Sequence, residues 1–236
     1  MTLALRAPVD TAFVSTRVVT GGAIRPAAVL VKDGVIVDVV APGLRPRDCD
    51  VVDVLDAVLL PGLVDTHVHV NEPGRTAWEG FATATRAAAL GGITTIVDMP
   101  LNSLPPTTSV AAFAEQLAAA SGQLAVDVGF WGGVVPGNTR ELVPLVARGV
   151  LGFKCFLVDS GVPEFKNVER RDLDRSLGIL REAGVPLLVH AELQGPISAA
   201  APAAAALDVK SYRHHLLGRP KAAEDEAVAL MIALCR

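Results

Sequence analysis

The sequence predicts an α/β chain: a parallel sheet covered by helices, preceded by a small all-β unit. Three observations carry this. From about residue 59 onward, five apolar runs of strand length alternate with Ala-rich helical stretches. Those runs are continuously apolar rather than alternating, as in strands covered on both faces. Before residue 58 there are only short Val-rich runs and turn signals. On residues alone the sheet is either open and doubly wound or a (β/α)8 barrel, and both keep their chemistry at the C-terminal ends of the strands.

Taken in order, AAVLVKDGVIVDVV (27–40) is apolar on both sides of Asp33-Gly34, a dipeptide that favours the type I′ turn of a tight hairpin. DVVDVLDAVLLPG follows and stops at Pro61-Gly62. Residues 1–58 are therefore expected to form a small β-sandwich portion, and 59–236 the sheet-and-helix domain. Within the latter, AVLLPGLVDTHVHV precedes the helical TAWEGFATATRAAALGG, whose Gly91-Gly92 suits a helix C-terminus. ITTIVDMP leads to TTSVAAFAEQLAAASG, with Thr108 or Ser109 as cap, and LAVDVGFWGGV to NTRELVPLVARG, with Asn138 or Thr139 as cap. VLGFKCFLV precedes VERRDLDRSLGILREAG, VPLLVHAEL is the fifth strand, and AAEDEAVALMIALCR is a last helix with acids in its first turns.

Composition narrows the function. Of 236 residues 51% are apolar, enough for one sizeable core. A net charge of −4 with no Lys/Arg cluster argues against nucleic acid and anionic membranes. Three scattered cysteines fit a reduced, cytoplasmic chain, and the opening residues show no signal peptide. No Gly-x-Gly-x-x-Gly follows the first strand and there is no Walker-type loop, which weighs against dinucleotides.

The chemistry-bearing candidates are few. His67 and His69, two of only five histidines, stand at i and i+2 on one face of a strand end, and Asp65 shares that face. Such a pair is able to chelate a divalent ion; a pair of hydrogen-bonded structural histidines is an equal alternative. His190 ends another strand, and its place on the same rim raises the metal reading. Lys154 lies inside the apolar GFKCF, where an ammonium is costly. Either its head reaches solvent, or the neutral amine has taken up CO2 as a carbamate, an anionic ligand able to bridge two metals. Cys155 points away as a core residue, Trp78 and Glu79 serve packing and capping, and His214 and His215 are surface residues.

Several longer stretches are more specific. PGLVDTHVHVNEPGRTAWEGF, GGITTIVDMPLNSLPPTT, GFKCFLVDSGVPEF and GRPKAAEDEAV resemble the amidohydrolase superfamily in its cyclic-amidase branch of dihydroorotases, hydantoinases and allantoinases, and most nearly the allantoinase group. The likeness extends over nearly the whole chain. It implies a TIM-type (β/α)8 barrel, of which about five of eight strands are counted here, so the barrel is incomplete and stops before strand 6. It also implies His67 and His69 on one metal, Lys154 as the carboxylated bridge and His190 on a second metal. Zinc is the first choice for the two divalent ions, with manganese, cobalt and iron as alternatives. The implied reaction is hydrolysis of allantoin to allantoate by a bridging hydroxide.

Dihydroorotases carry an arginine two residues beyond the second histidine; Asn71 stands there, which suits an uncharged ureido ring. Asn102, Asp159 and Ser160 are further candidates for substrate contact, loop hydrogen bonding being the alternative for all four. By resemblance the full-length protein is a homo-oligomer.

The family pattern asks for two more residues, a histidine on the sixth strand and an aspartate on the eighth. No histidine follows His215. The chain is therefore expected to be a fragment with bare sheet edges, inactive alone. The alternatives are a hydantoinase or dihydropyrimidinase, or a non-catalytic remnant that binds an intact homologue.

Overall fold

The computed structural model describes residues 9–235. The expectation of no signal peptide falls largely on residues 1–8, outside the described residues. The chain divides into two compact units, one ending at Gly62 and the other beginning at Leu63.

In the first unit β1 (Thr11–Thr20), β2 (Ala23–Lys32), β3 (Val35–Val40), β4 (Asp50–Asp53) and β5 (Val58–Leu59) form one sheet. The strand order is β3-β2-β1-β4, with β5 also on β1. The β2–β3 turn holds Asp33 at φ 49° and Gly34 at φ 76°, the left-handed values a type I′ turn requires. A register shift in β1 between Ser15 and Val18 is pinned by the Ser15 hydroxyl, which donates to the Ala57 carbonyl at 2.6 Å. β4 and β5 both add to β1 in parallel, so the described residues of this unit form one sheet. The same pairing, Val58 and Leu59 beside Arg17 and Val18, carries the unit past residue 58 to Gly62.

The second unit runs β6 (Leu63–Val68), α1 (Phe81–Leu90), β7 (Ile93–Asp98), α2 (Val110–Ala120), β8 (Asp127–Phe130), β9 (Gly132–Gly133), α3 (Thr139–Ala147), β10 (Phe153–Phe156), α4 (Arg170–Ala183), β11 (Leu187–His190), α5 (Gln194–Ala205), α6 (Tyr212–Gly218) and α7 (Lys221–Leu234). Every strand pairing is parallel, in the orders β6-β7-β8 and β9-β10-β11. The triplets meet at Trp131, where one strand path bends. Its N–H donates to the Asp98 carbonyl, and the next N–H, of Gly132, donates to that of Gly152. Glycine is required past the bend: a Cβ on Gly132 would meet the Phe153 ring, and one on Gly133 the Phe165 ring.

Local chemistry explains most helix ends. Ser109 caps α2, its hydroxyl accepting from the Ala112 N–H at 3.2 Å. Asn138 precedes α3, but its side chain bonds Val135, Thr108 and Gly133 instead of capping. Gly184 ends α4 at φ 69°. α1 starts later than the sequence stretch implied, because residues 71–80 fold back, Asn71 N–H to the Glu79 carbonyl, and the Glu72 carboxylate caps Phe81 N–H at 2.9 Å. Glu79 accepts from Gly80 N–H and the Thr83 hydroxyl, a capping role. Trp78, expected to pack, is exposed beneath the Arg75 guanidinium. α5 and α6 were not marked in advance. Pro196 and Pro202 disguise α5, although Pro196 lies in the first turn, where its missing N–H costs nothing.

The core centres on Phe130, which meets Phe81 and Phe113 edge-on at 6.1 and 5.5 Å, pairs worth about 0.5–1.5 kcal/mol each beyond burial. β6 and β11 each have one strand partner among the described residues, and Leu63 and Val64 of β6 are 54% and 60% exposed. Among the described residues no helix is long and apolar enough to cross a membrane.

Candidate metal centre

β6 carries Asp65 and His67, and His69 stands one residue past its end; the Asp65 carboxylate accepts from the His67 N–H at 3.0 Å. Four hydrogen bonds hold this tip. The Trp131 indole N–H donates to the Thr66 carbonyl at 2.9 Å. Met99 N–H donates to the Val68 carbonyl at 2.7 Å. The Asp98 carboxylate accepts from Val70 N–H at 2.7 Å. His69 Nδ1 lies 2.7 Å from the Leu101 carbonyl, and since a carbonyl only accepts, Nδ1 carries the proton and Nε2 keeps its lone pair. The His67 and His69 ring centroids are 5.5 Å apart. Two imidazoles on one tetrahedral ion, each at about 2 Å, require roughly that spacing.

Asp98 is fully buried at the end of β7. Its second oxygen accepts from the Gln116 amide, whose own oxygen accepts from the Thr107 hydroxyl. Burial raises its pKa well above the ordinary aspartate value, although the N–H donors of Val70, Gln116 and Met99 oppose the shift.

Lys154 sits on β10, between β9 and β11, and is only 6% exposed. Its Nζ is 4.9 Å from the Phe156 ring centroid, and among the described residues it forms no ion pair. Burial pushes the amine below the ordinary lysine value. Burial, followed by the charge of Lys154 and then His69, likewise lowers His67. Cys155 is buried as a core residue, with its thiol pushed up to about 12 by burial.

His190, opposite Phe156 in the β10–β11 register, stacks on that ring at 4.9 Å and 15°. Its Nε2 is 2.8 Å from Glu192 Oε2, which also takes Arg219 Nη1 at 2.7 Å. Burial raises the Glu192 carboxyl, but the His190 hydrogen bond and the Arg219 charge outweigh it and leave the group below the ordinary glutamate value.

A cavity of about 1040 Å³ is bordered by His67, Lys154, His190, Asp159 and Ser160. A more apolar cavity of about 730 Å³, walled by Leu188, Val228 and Ile232, also reaches His67 and Lys154. His69 joins the group through His67 and does not border the larger cavity. Nor do Asn71 and Asn102, which bond each other at 3.1 Å while Arg75 donates to the Asn102 carbonyl. Ser160 spends its hydroxyl on the Phe165 carbonyl, and Asp159 accepts from Gly161 N–H. His215 is exposed and borders the cavity; His214, placed on the surface by the sequence reading, is half-buried because its Nδ1 bonds the Ala204 carbonyl.

Sequence reasoning missed Asp98, Trp131, Phe156, Glu192 and Arg219. Two had a signal: Asp98 is a charge closing an apolar strand, and Glu192 follows a strand-end histidine at i+2. Among the described residues, no three His, Cys, Asp or Glu side chains stand close enough to hold an ion. A multi-ligand site there needs another donor. The donor chemistry fits a metal pair if the unpaired Lys154 supplies it, beside imidazoles from two strands.

The amidohydrolase family profile matches residues 58–235. A mitochondrial allantoinase from Aquarana catesbeiana is 49% identical over 94% of this chain and 45% of its own length. An allantoinase from Streptomyces avermitilis is 50% identical over 93% of this chain and 48% of its own. The solved L-hydantoinase (dihydropyrimidinase) of Arthrobacter aurescens superposes with a TM-score of 0.89 at 30% identity, covering 96% of this chain and 50% of that one. The chain thus spans about half the length of the relatives it matches. The likeness makes the fold TIM-barrel-like α/β.

Proposed function

This chain belongs to the amidohydrolase family, and from that premise we propose that it serves hydrolysis of a cyclic amide, allantoin to allantoate, at a centre of two divalent ions. The observation that supports this best is the buried, unpaired Lys154 amine bordering one cavity with His67 and His190. His67 and His69 would hold one ion and His190 the other, with a carboxylated Lys154 as the shared anionic ligand; zinc would suit this donor set. When bound, the ions supply Lewis acidity and make water nucleophilic near neutral pH.

The chain's residues do the remainder. Burial keeps Lys154 disposed to the neutral form, which forms an N–C bond to CO2 and releases a proton to solvent. Leu101 holds the His69 proton on Nδ1 and so presents Nε2. Phe156 and Val158 wall the cavity, and Asp159 stands at its border for substrate contact. Asn71 stands where dihydroorotases carry an arginine, and by that resemblance favours a neutral ureido ring over dihydroorotate, although its amide bonds Asn102 and does not border the cavity. The allantoinases at 49% and 50% identity support the same choice. A second reading, hydantoin as substrate, draws on the hydantoinase superposition.

The histidine and aspartate that the family pattern adds are not among these residues, so turnover by this chain alone is expected far below that of an ordinary enzyme. The test therefore reads binding first: zinc content, then calorimetric titration with allantoin, hydantoin and dihydroorotate. Allantoin is expected to bind about tenfold or more tighter than dihydroorotate. Tightest binding of hydantoin selects the second reading, and a chain that takes up no divalent ion overturns both. Rapid turnover by the chain alone refutes the need for further residues.

A further inference from the structure

We infer that Glu192 and Arg219 are positioning residues, a two-link strap that decides which nitrogen of His190 faces the cavity. The inference deepens the metal reading above and rests on it. His190 ends its strand with its side chain 43% exposed, so little packing confines it. Its stacking on Phe156 sets the plane of the ring but not which edge points inward, because a half-turn about the Cβ–Cγ bond preserves the stack. The hydrogen bond from Nε2 to Glu192 removes that ambiguity.

Glu192 is able to act this way because it is itself held. Its side chain is 14% exposed, and Arg219, from the link between α6 and α7, bonds the same oxygen that His190 uses. A carboxylate engaged by a guanidinium only accepts, so the proton on Nε2 belongs to the imidazole, and in the neutral ring Nδ1 is left with a bare lone pair. His69, one residue past the end of β6, does the reverse: it gives its Nδ1 proton to Leu101 and keeps Nε2 free. The two strands therefore present opposite nitrogens. A carboxylate behind a ligand imidazole fixes its tautomer and orientation, and loss of such a partner costs 10–100-fold in metal affinity.

The test uses the full chain labelled with ¹⁵N-histidine. Without metal, long-range ¹H–¹⁵N spectra are expected to show His190 as the Nε2–H tautomer. Glu192→Ala is expected to mix the tautomers and weaken the His190 zinc by about 10–100-fold in chelator competition, leaving the zinc on His67 and His69 unchanged. Glu192→Gln, whose amide oxygen still accepts, restores the tautomer and most of the affinity. Arg219→Met loosens the strap and gives an intermediate effect.

An unchanged tautomer in Glu192→Ala, or a Gln variant as defective as Ala, overturns the inference. If Glu192→Ala fails to fold, as read by circular dichroism, the Gln and Arg219→Met variants carry the test. If the unsubstituted chain binds no zinc, the metal reading falls, while the tautomer measurement still decides the strap.

Discussion

Lys154 stands on β10, between β9 and β11, whereas His67 and His69 stand at the end of β6, which has one strand partner among the described residues. Around Lys154 on β10, Phe153 and Cys155 are fully buried, among the described residues the ammonium has no ion-pair partner, and burial lowers its pKa. The tip of β6 leaves His67 exposed, although burial is still the first cause that lowers its pKa. What orders it is a set of hydrogen bonds from Trp131, Met99, Asp98 and Leu101. Burial shifts protonation on both strands, and at the β6 tip hydrogen bonds also set direction. A site that needs both a reactive amine and aimed imidazoles draws on both kinds of strand.

Substitutions at three positions break or sharpen that contrast. The largest effect is expected from Lys154→Met, which keeps the apolar stem and removes the amine. Zinc affinity should fall by about a hundredfold or more while thermal stability holds or rises, since an unpaired buried amine is unfavourable. Metal analysis and melting curves read both, and undiminished zinc binding would remove Lys154 from the site.

Next comes Asp98, which supports the β6 tip from below. Asp98→Ala strands the Val70 N–H and the Gln116 amide, at about 1–3 kcal/mol for each buried group left unpaired. Asp98→Asn separates charge from hydrogen bonding. The folded pKa of Asp98 is raised above its unfolded value, so its contribution is fully present below about 3.8 and is lost as pH rises through the folded value. Stability of Asp98→Asn relative to the unsubstituted chain should therefore rise with pH over that window in denaturant titrations. A parallel pH dependence would show that Asp98 titrates normally.

The smallest effect belongs to Trp131→Phe, which keeps a ring and deletes the donor to Thr66. About 1 kcal/mol of stability is expected to go, with faster hydrogen exchange confined to the β6 tip. Exchange that accelerates equally in β10 would erase the distinction between the two strands.

The parts legible from sequence were those that depend on near neighbours. Gly91-Gly92, Ser109 and Asp33-Gly34 end or turn elements through their own backbone and side-chain preferences. Spacing at i and i+2 put His67 and His69 on one face, and an isolated lysine in an apolar run marked a buried amine. Asn71 and Asn102 were not legible as a pair, since nothing in either segment announces a bond across 31 residues. The late start of α1 escaped notice because helix propensity over 76–80 was overridden by the fold-back of residues 71–80. Trp131 read as an interior strand residue, and its role appears only where two strand triplets meet.

By itself the sequence determined the alternation of strands and helices, the faces on which the histidines and the lysine lie, and the likeness that marks the family. Only the tertiary structure decided that Lys154 is without an acidic partner among the described residues, that His69 and His190 have different nitrogens engaged, and that Arg219 reaches Glu192. The physical reason is range. Periodicity and capping act within a few residues, whereas burial and hydrogen bonding between distant segments exist only after the chain has closed around them.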